Sequence, residues 1–143
     1  MIELFAWTHD QIVAALVENG NPAPQANEIV PNVAFSLLAT ASDYSRFLTA
    51  LLEPQNSVLG MSAATRQTMQ TTVSKVNSTL SWGLGVGIEK LLGRNIYGSR
   101  EDNGGWKDFL LAQPASQSAI VVFTNGNNCV HVNERVLQGR YWH

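Results

Sequence analysis

Residues 82–89 read Trp-Gly-Leu-Gly-Val-Gly-Ile-Glu, and this stretch decides the fold class. Its apolar side chains recur at every second position, which is the period of a β-strand with one buried face. The other face carries three glycines and a glutamate. Glycine inside a strand costs stability and often marks the close approach of another backbone or of a ligand. The stretch therefore predicts a strand with one apolar face and one nearly bare face.

Further strands are predicted on the C-terminal side of this stretch. Leu92-Gly93-Arg94-Asn95 is typical of a hairpin turn. Asp108–Ala112 has the pattern of a second strand, and Ala119–Thr124 is a continuous apolar run of the kind found in central strands. Asn125-Gly126 ends that run. We expect these two segments and the 82–89 strand to form one three-stranded antiparallel sheet.

Helices are predicted before and after the sheet. Thr40 is an N-cap candidate, and Asp43 in the first turn favours the helix dipole. One apolar helix face follows at the spacing i, i+3, i+4 and i+7, formed by Tyr44, Phe47, Leu48 and Leu51. Ser62 is a second N-cap candidate for a short helix that reaches Met69, and a closing helix is expected over 129–138. This order of elements predicts an α+β fold.

The first thirty residues remain poorly assigned. Thr8 and Gln11 fit a capping box that would open a helix through Leu16 and end it at Asn19-Gly20. The same residues fit an irregular segment equally well, because three prolines follow closely, at Pro22, Pro24 and Pro31. Residues 31–143 carry the clear signals, and the chain of 143 residues has the length of one domain.

Composition excludes several classes of protein. Charged residues are 14% of the chain, about half the usual quarter, which argues against disorder and coiled coils. The net charge is −2 without a basic stripe, so a nucleic-acid partner is not expected. No stretch approaches the ~20 apolar residues of a membrane span.

The N-terminus and the cysteine content bear on the compartment. The first ten residues contain Glu3 and no basic region, so they are not expected to form a signal peptide. The chain as it stands is expected to be cytoplasmic, or else to be a fragment whose export signal lies elsewhere. The single cysteine, Cys129, excludes an internal disulfide framework.

A direct search for a nucleophile finds no motif. None of the eleven serines has a lysine three residues later, and none lies in a Gly-x-Ser-x-Gly sequence. No tyrosine is followed two residues later by asparagine, and the histidines lack metal-ligand spacing. We therefore expect no catalytic residue, no metal site and no cofactor in this chain.

The main concentration of polar residues is Gly98–Lys107, between two predicted strands. One interpretation is a solvated hairpin connection in which Gly104-Gly105 supplies positive φ. The other is the rim of a ligand site, because polar groups at strand ends are where sites occur. Under the second interpretation the candidate rim consists of Ser99, Arg100, Glu101, Asp102, Asn103 and Trp106.

Four motifs resemble those of serine hydrolases related to class C β-lactamases and penicillin-binding proteins. Residues 36–48, Ser-Leu-Leu-Ala-Thr-Ala-Ser-Asp-Tyr-Ser-Arg-Phe-Leu, resemble the family's S-L-x-x-T-A-x-D-Y-x-R-F-L segment, and 82–88 resemble its W-G-L-G-W-G strand. Residues 102–109 with Pro114 resemble D-N-x-G-F-K-x-F…P, and 119–126 resemble the final strand that ends in T-N-G. The motifs occur in the family's order over residues 30 to 140.

The resemblance implies acyl transfer on an amide or ester, but it leaves the chemistry incomplete. In the family the Ser-x-x-Lys and Tyr-x-Asn motifs lie upstream of these four, so the chain resembles the C-terminal portion alone and is expected to be inactive by itself. The family's His- or Lys-x-Gly triplet would fall on Ser99, Arg100 and Glu101. Ser99 could donate to a carboxylate or acyl oxygen, whereas Glu101 replaces a glycine that leaves room for substrate.

An alternative hypothesis is a non-catalytic module for binding or self-association on the same scaffold. The run Ala119–Thr124 contains neither charge nor proline, so an open edge there would pair with another chain. A symmetric homodimer is the expected assembly. Alternatively, Ile2–Ala6 or Ile12–Val17 folds back and covers the edge within one monomer.

Overall fold

A computed structural model gives the structure of the chain, and it describes residues 19–22, 37–52 and 60–141. The side chains of residues 137–141 are not among those described. The predicted helix over 8–16 and both segments predicted to cover the sheet edge lie outside the described residues. No described helix is long and apolar enough to cross a lipid bilayer.

Helix α1 spans Ala41–Leu52, as its N-terminal signals predict. Its buried side chains are Leu48, Ala50 and Leu51. Phe47 is only half-buried and meets the Tyr44 ring edge-on, with the ring centroids 5.5 Å apart. Of the apolar face predicted for α1, Leu48 and Leu51 are therefore buried, whereas Tyr44 and Phe47 are half-buried.

Helix α2 spans Ala63–Met69 and begins where the sequence predicts. The Ser62 hydroxyl accepts the backbone N–H of Thr65 at 3.0 Å, so Ser62 is the N-cap. Just after the helix, the Gln70 side chain donates to the backbone carbonyl of Leu51 at 3.1 Å. This bond ties the end of α2 to the end of α1.

The sheet has six antiparallel strands rather than the three expected. They follow one another in space as they do in the chain, and they are β1 (Ser74–Lys75), β2 (Leu80–Trp82), β3 (Gly87–Leu91), β4 (Arg94–Asn103), β5 (Trp106–Gln113) and β6 (Ser118–Thr124). Each strand joins the next without a crossover. The α+β class is as predicted, and the strand count is not.

The predicted strand over 82–89 is in fact two strands joined by a turn. The Gly83 N–H donates to the carbonyl of Val86 at 2.8 Å, which folds the chain back on itself. Gly85 has φ of +71°, a conformation that glycine adopts without steric cost. Trp82 therefore lies opposite Gly87 on a neighbouring strand instead of preceding it on the same one.

The hairpin between β3 and β4 agrees with the predicted turn. Leu92 and Gly93 both have positive φ, 49° and 76°, as a two-residue turn between right-twisted strands requires. Leu91 pairs with Arg94 directly across this turn, and Gly87 pairs with Gly98 at the other end of β3.

Strand β4 contains the polar stretch that the sequence places between strands. It continues to Asn103, so the connection to β5 is only Gly104-Gly105. Gly104 has the predicted positive φ, at 65°, whereas Gly105 does not. Farther back on β4, a Cβ on Gly98 would lie 1.8 Å from the carbonyl oxygen of Leu110, so the backbones of β4 and β5 approach closely there.

Strand β6 comes last in the sheet order, so within the described residues it is an edge strand, as the self-association hypothesis expects, although its apolar run is typical of a central strand. A short 3-10 turn over Pro114–Ser116 leads into it. Helix α3 then spans Val130–Tyr141, close to the prediction. Over 130–136, where its side chains are described, Asn133 alone is buried, and three valines at positions 130, 132 and 136 are exposed.

The chain divides into two compact units. The first includes Ala41–Ser99 and Leu110–Val121, and the second includes Arg100–Phe109 and Val122–His143. The described core of the first unit consists of Leu48, Ala50, Leu51, Val86, Ile88, Ile96, Tyr97, Leu110, Leu111 and Ala112. Phe109 is the buried apolar side chain that the second unit contributes among described residues.

Candidate functional site

The candidate site is built on the turn end of the β4–β5 hairpin, within the second unit. The two-residue turn fixes which side chains lie opposite each other on the two strands. Successive residues of a strand point to opposite faces of a sheet. The polar residues of this hairpin are therefore divided between two faces.

One face carries an ion pair between Asp102 and Lys107. The Lys107 ammonium contacts a carboxylate oxygen of Asp102. The lysine side chain is 8% exposed and the aspartate side chain 68% exposed, so a buried cation is held by a carboxylate at the surface. A buried charge without a partner is costly, so Asp102 is needed for Lys107 to be buried while charged.

Next to this pair, and on the same face, Arg100 covers an aromatic ring. Its guanidinium carbon lies 5.0 Å from the centroid of the Phe109 ring. This is the geometry of a cation–π contact, and Phe109 is 4% exposed beneath it. Arg100 itself is exposed, so its charge remains accessible to an anionic group.

The other face carries two carboxylates, Glu101 and Asp108. The pKa of Asp108 is raised above its ordinary value because the carboxyl is partly buried and because the negative charge of Glu101 is close. A hydrogen bond from the backbone of Thr124 opposes this rise. Glu101 is exposed and Asp108 is half-buried. This face therefore favours a positively charged or hydrogen-bond-donating group over an anion.

The backbone of the hairpin is tied to β6 and α3 through one carbonyl group. The carbonyl oxygen of Lys107 accepts the Thr124 hydroxyl at 2.7 Å and the Asn133 side-chain amide at 3.4 Å. The other polar atom of Asn133, its Oδ1, is buried without a hydrogen-bond partner among the described atoms. These two hydrogen bonds fix the backbone of β5 at Lys107, and so they fix the position from which the Lys107 and Asp108 side chains extend.

The structure brings together only part of the predicted candidate rim. Arg100, Glu101 and Asp102 lie side by side on β4, with Arg100 and Asp102 on one face and Glu101 on the other. Asn103, exposed, ends the strand, and Trp106, half-buried, begins the next. Ser99 is half-buried on β4 and belongs to the first unit.

Sequence reasoning missed the residues that complete the site, which are Lys107, Asp108, Phe109, Thr124 and Asn133. None of them was predicted as a rim residue, although four lie within the sequence motifs at 102–109 and 119–126. The hairpin pattern could have found the first three, because a two-residue turn at Gly104-Gly105 places them opposite the rim residues of β4. No sequence signal points to Asn133.

The described residues of the hairpin offer several charged and polar groups that can recognise a ligand. In the part of the chain that the structure describes, no three or more His, Cys, Asp or Glu side chains are grouped to hold a metal ion. The site supplies a guanidinium, an ammonium, three carboxylates and a side-chain amide, from Arg100, Lys107, Glu101, Asp102, Asp108 and Asn133. These groups can orient a polar ligand through charge and hydrogen bonds.

Two solved structures share this fold over most of the chain. The octameric penicillin-binding protein homologue from Pyrococcus abyssi matches with a TM-score of 0.72 at 19% identity, over 87% of this chain and 30% of that one. A D-stereospecific amidohydrolase from Streptomyces sp. matches with a TM-score of 0.65 at 17% identity, over 92% of this chain and 40% of that one.

No protein-family model and no curated protein matches the sequence. The chain spans less than half the length of these two solved structures, 30% of the first and 40% of the second. The predicted resemblance is confirmed at the level of fold: the chain shares the fold of part of a penicillin-binding protein homologue and of part of a D-stereospecific amidohydrolase.

Proposed function

We propose that this chain is the C-terminal portion of a β-lactamase-like serine hydrolase, which acts by acyl transfer on an amide or ester. The observation that carries the proposal is the fold match, which covers 87% of this chain but 30% of the Pyrococcus abyssi protein. The order of the four sequence motifs supports it independently. Residues 31–143 would form a single domain with the rest of such an enzyme.

In this proposal the chain contributes one wall of the substrate cleft. A serine elsewhere in the enzyme would attack the acyl carbon, and hydrolysis of the acyl-enzyme would follow. Ser99 would donate a hydrogen bond to a carboxylate or acyl oxygen of the substrate, and Arg100 would bind an anionic group on the opposite face of β4. Glu101 and Asp108 would disfavour anionic groups on their face of the hairpin. Because no Ser-x-x-Lys or Tyr-x-Asn sequence is present, the chain alone would not hydrolyse substrate.

An acyl-reactive serine probe tests the catalytic part of the proposal. We expect the purified chain to remain unlabelled by a fluorophosphonate or a labelled β-lactam. Labelling of any serine would overturn the proposal, and mass spectrometry would identify the residue. An in-frame serine-lysine pair encoded upstream of Met1 would favour the proposal over the alternative given below.

Ligand titration tests the binding part. We expect a small acylated amino-acid carboxylate to shift the backbone NMR signals of Ser99 and Arg100, and Ser99→Ala to weaken binding without unfolding the protein. Glu101→Gln should tighten binding of the same anion, because it removes a like charge. Glu134→Gln removes another exposed carboxylate, on α3, and serves as the control. Equal effects of Glu101→Gln and Glu134→Gln would contradict the placement of the ligand.

A second candidate function is a non-catalytic module that forms a homodimer through β6. This strand is last in the described sheet, and its residues from Ala119 to Phe123 are uncharged and at least partly exposed. Such an edge lacks the lysine or proline that guards natural sheet edges. Pairing with a second copy would extend the sheet and cover the apolar side chains.

Sedimentation equilibrium at micromolar concentration tests the homodimer. We expect a species of twice the 15.6 kDa chain mass. Val121→Lys, in the middle of β6, should shift it to monomer, whereas Val132→Lys on exposed α3 should not. A wild-type monomer would exclude this candidate, and equal effects of the two lysines would show that β6 is not the interface.

A further inference from the structure

We propose that Asn103-Gly104 is a site of spontaneous deamidation that the fold leaves open, whereas the fold protects Asn125-Gly126. The inference goes beyond the proposed function and does not depend on it. Asparagine followed by glycine is the sequence most prone to this reaction, because glycine has no side chain to hinder attack by its own backbone nitrogen. The chain contains three such pairs, at Asn19-Gly20, Asn103-Gly104 and Asn125-Gly126.

The reaction requires only the chain and water. The backbone nitrogen of Gly104 attacks Cγ of Asn103, so an N–Cγ bond forms. The Cγ–Nδ2 bond breaks, and the amide nitrogen leaves as ammonia with the proton that Gly104 gives up. Water then opens the resulting succinimide at one of its two carbonyl groups and yields aspartate or isoaspartate at position 103.

The surroundings of Asn103 permit the movement that this attack needs. Asn103 is the last residue of β4, and both it and Gly104 are exposed. Nothing lies within 4 Å of the position that a Cβ of Gly104 would occupy. Rotation of the Asn103 backbone into a reactive geometry therefore disturbs only the two-residue turn and the final strand pair.

The surroundings of Asn125 restrict the same movement. Asn125 and Gly126 are half-buried, and the Cys129 sulfur would lie 3.0 Å from a Cβ of Gly126. The Gly126 carbonyl accepts the Cys129 N–H at 3.0 Å, and the Cys129 carbonyl accepts the Asn133 N–H at 3.1 Å. Attack at Asn125 therefore requires the start of α3 to open as well.

The modification would change the charge of the candidate rim. It replaces a neutral amide next to Asp102 with a carboxylate and makes the net charge of −2 one unit more negative. Isoaspartate would also lengthen the main chain by one methylene where β4 turns into β5. The pairing of Asp102 with Lys107, one residue away, would then be strained.

Comparison of the folded and unfolded chain tests the proposal. The whole protein is incubated at mildly alkaline pH with and without guanidinium chloride, and peptides containing each Asn-Gly pair are followed by mass spectrometry. In guanidinium chloride, where the chain is unfolded, Asn103 and Asn125 should deamidate at similar rates. In the folded protein Asn103 should convert at least about fivefold faster than Asn125, the factor that an extra opening cost of about 1 kcal/mol produces.

Two variants identify the source of the charge change. Asn103→Gln should lower the amount of acidic species that forms early, measured by ion exchange, by the share due to the Asn103 peptide, and Asn125→Gln should leave that amount unchanged. Conversion at Asn19-Gly20 is measured on its own peptide and subtracted. Equal conversion at both sites in the folded protein would overturn the proposal, and so would an intact Asn103 in a sample whose unfolded counterpart reacts at both sites.

Discussion

Replacing Asp102 with asparagine tests how much the surface carboxylate stabilises the buried ammonium of Lys107. The variant keeps the shape of the side chain and removes its charge, so Lys107 must be buried as an uncompensated cation, expose itself or lose its proton. Removing one partner of a fully buried ion pair costs about 3–5 kcal/mol. Asp102 is 68% exposed, so water already screens part of the attraction. We therefore expect Asp102→Asn to lower the free energy of unfolding by about 1–2 kcal/mol.

Urea unfolding followed by tryptophan fluorescence measures this change, with Glu134→Gln as the matched control. The His131–Glu134 pair has side chains that are 80% and 61% exposed, and exposed pairs contribute at most about 1 kcal/mol. The Asp102→Asn effect should persist at high salt, because a partly buried pair is screened less than a surface pair. Equal, small effects of the two variants would refute the reasoning and show that Lys107 does not depend on Asp102.

Three further predictions follow from the packing and the charges. Gly98→Ala should destabilise the protein by about 3 kcal/mol or more in denaturant unfolding, because its Cβ would lie 1.8 Å from the Leu110 carbonyl oxygen; an unchanged midpoint would contradict that close approach. Leu48→Ala should cost about 2–5 kcal/mol and the half-buried Phe47→Ala less, so the reverse order would misplace the core. The raised pKa of Asp108 means that the folded state binds its proton more tightly than the unfolded state, so this group's contribution to stability is lost as pH rises from its ordinary value of 3.8 through the raised value. Over that range of pH, the free energy of unfolding of Asp108→Asn should therefore rise relative to that of wild type. A difference between the two proteins that does not change with pH would contradict the raised pKa of Asp108.

The sequence predicts the elements that have strong local signals. Ser62 marks the start of α2 because its hydroxyl satisfies a free N–H of the first turn. Leu92-Gly93 marks a hairpin because a two-residue turn of this kind requires positive φ at both positions. The order of helices and strands, and with it the α+β class, follows from such signals.

The sequence does not predict where the sheet begins or how its polar strand ends. Ser74-Lys75 is too short and too exposed to show a period, so β1 depends on pairing with β2 for its existence. The alternation over 82–89 continues across a turn, because Val86 and Ile88 are both buried although only the second lies in a strand. The sequence does not show that β4 continues to Asn103, because its charged residues near the turn are exposed to solvent on both faces and give no alternation of apolar and polar side chains.

The sequence predicts only the part of the candidate site that lies on β4. Arg100, Glu101 and Asp102 attract attention as grouped polar residues. Lys107 does not, because a lysine at the start of an apolar run gives no sign that it will be buried. Its burial depends on the carboxylate across the hairpin, and that pairing becomes visible only once the turn is fixed at two residues.

Over residues 130–136, helix α3 buries a polar side chain and leaves its valines partly exposed, and this arrangement affects which segment unfolds first. Its one buried side chain in this range is that of Asn133, which makes a long, 3.4 Å hydrogen bond to the Lys107 carbonyl, and its three valines remain 36–50% exposed. Local unfolding proceeds first where few apolar contacts resist it. The amides of this helix should therefore exchange with deuterium well before those of β3 and the second half of β5. A mild denaturant would then release α3 as a separate cooperative segment while the remaining sheet stays protected.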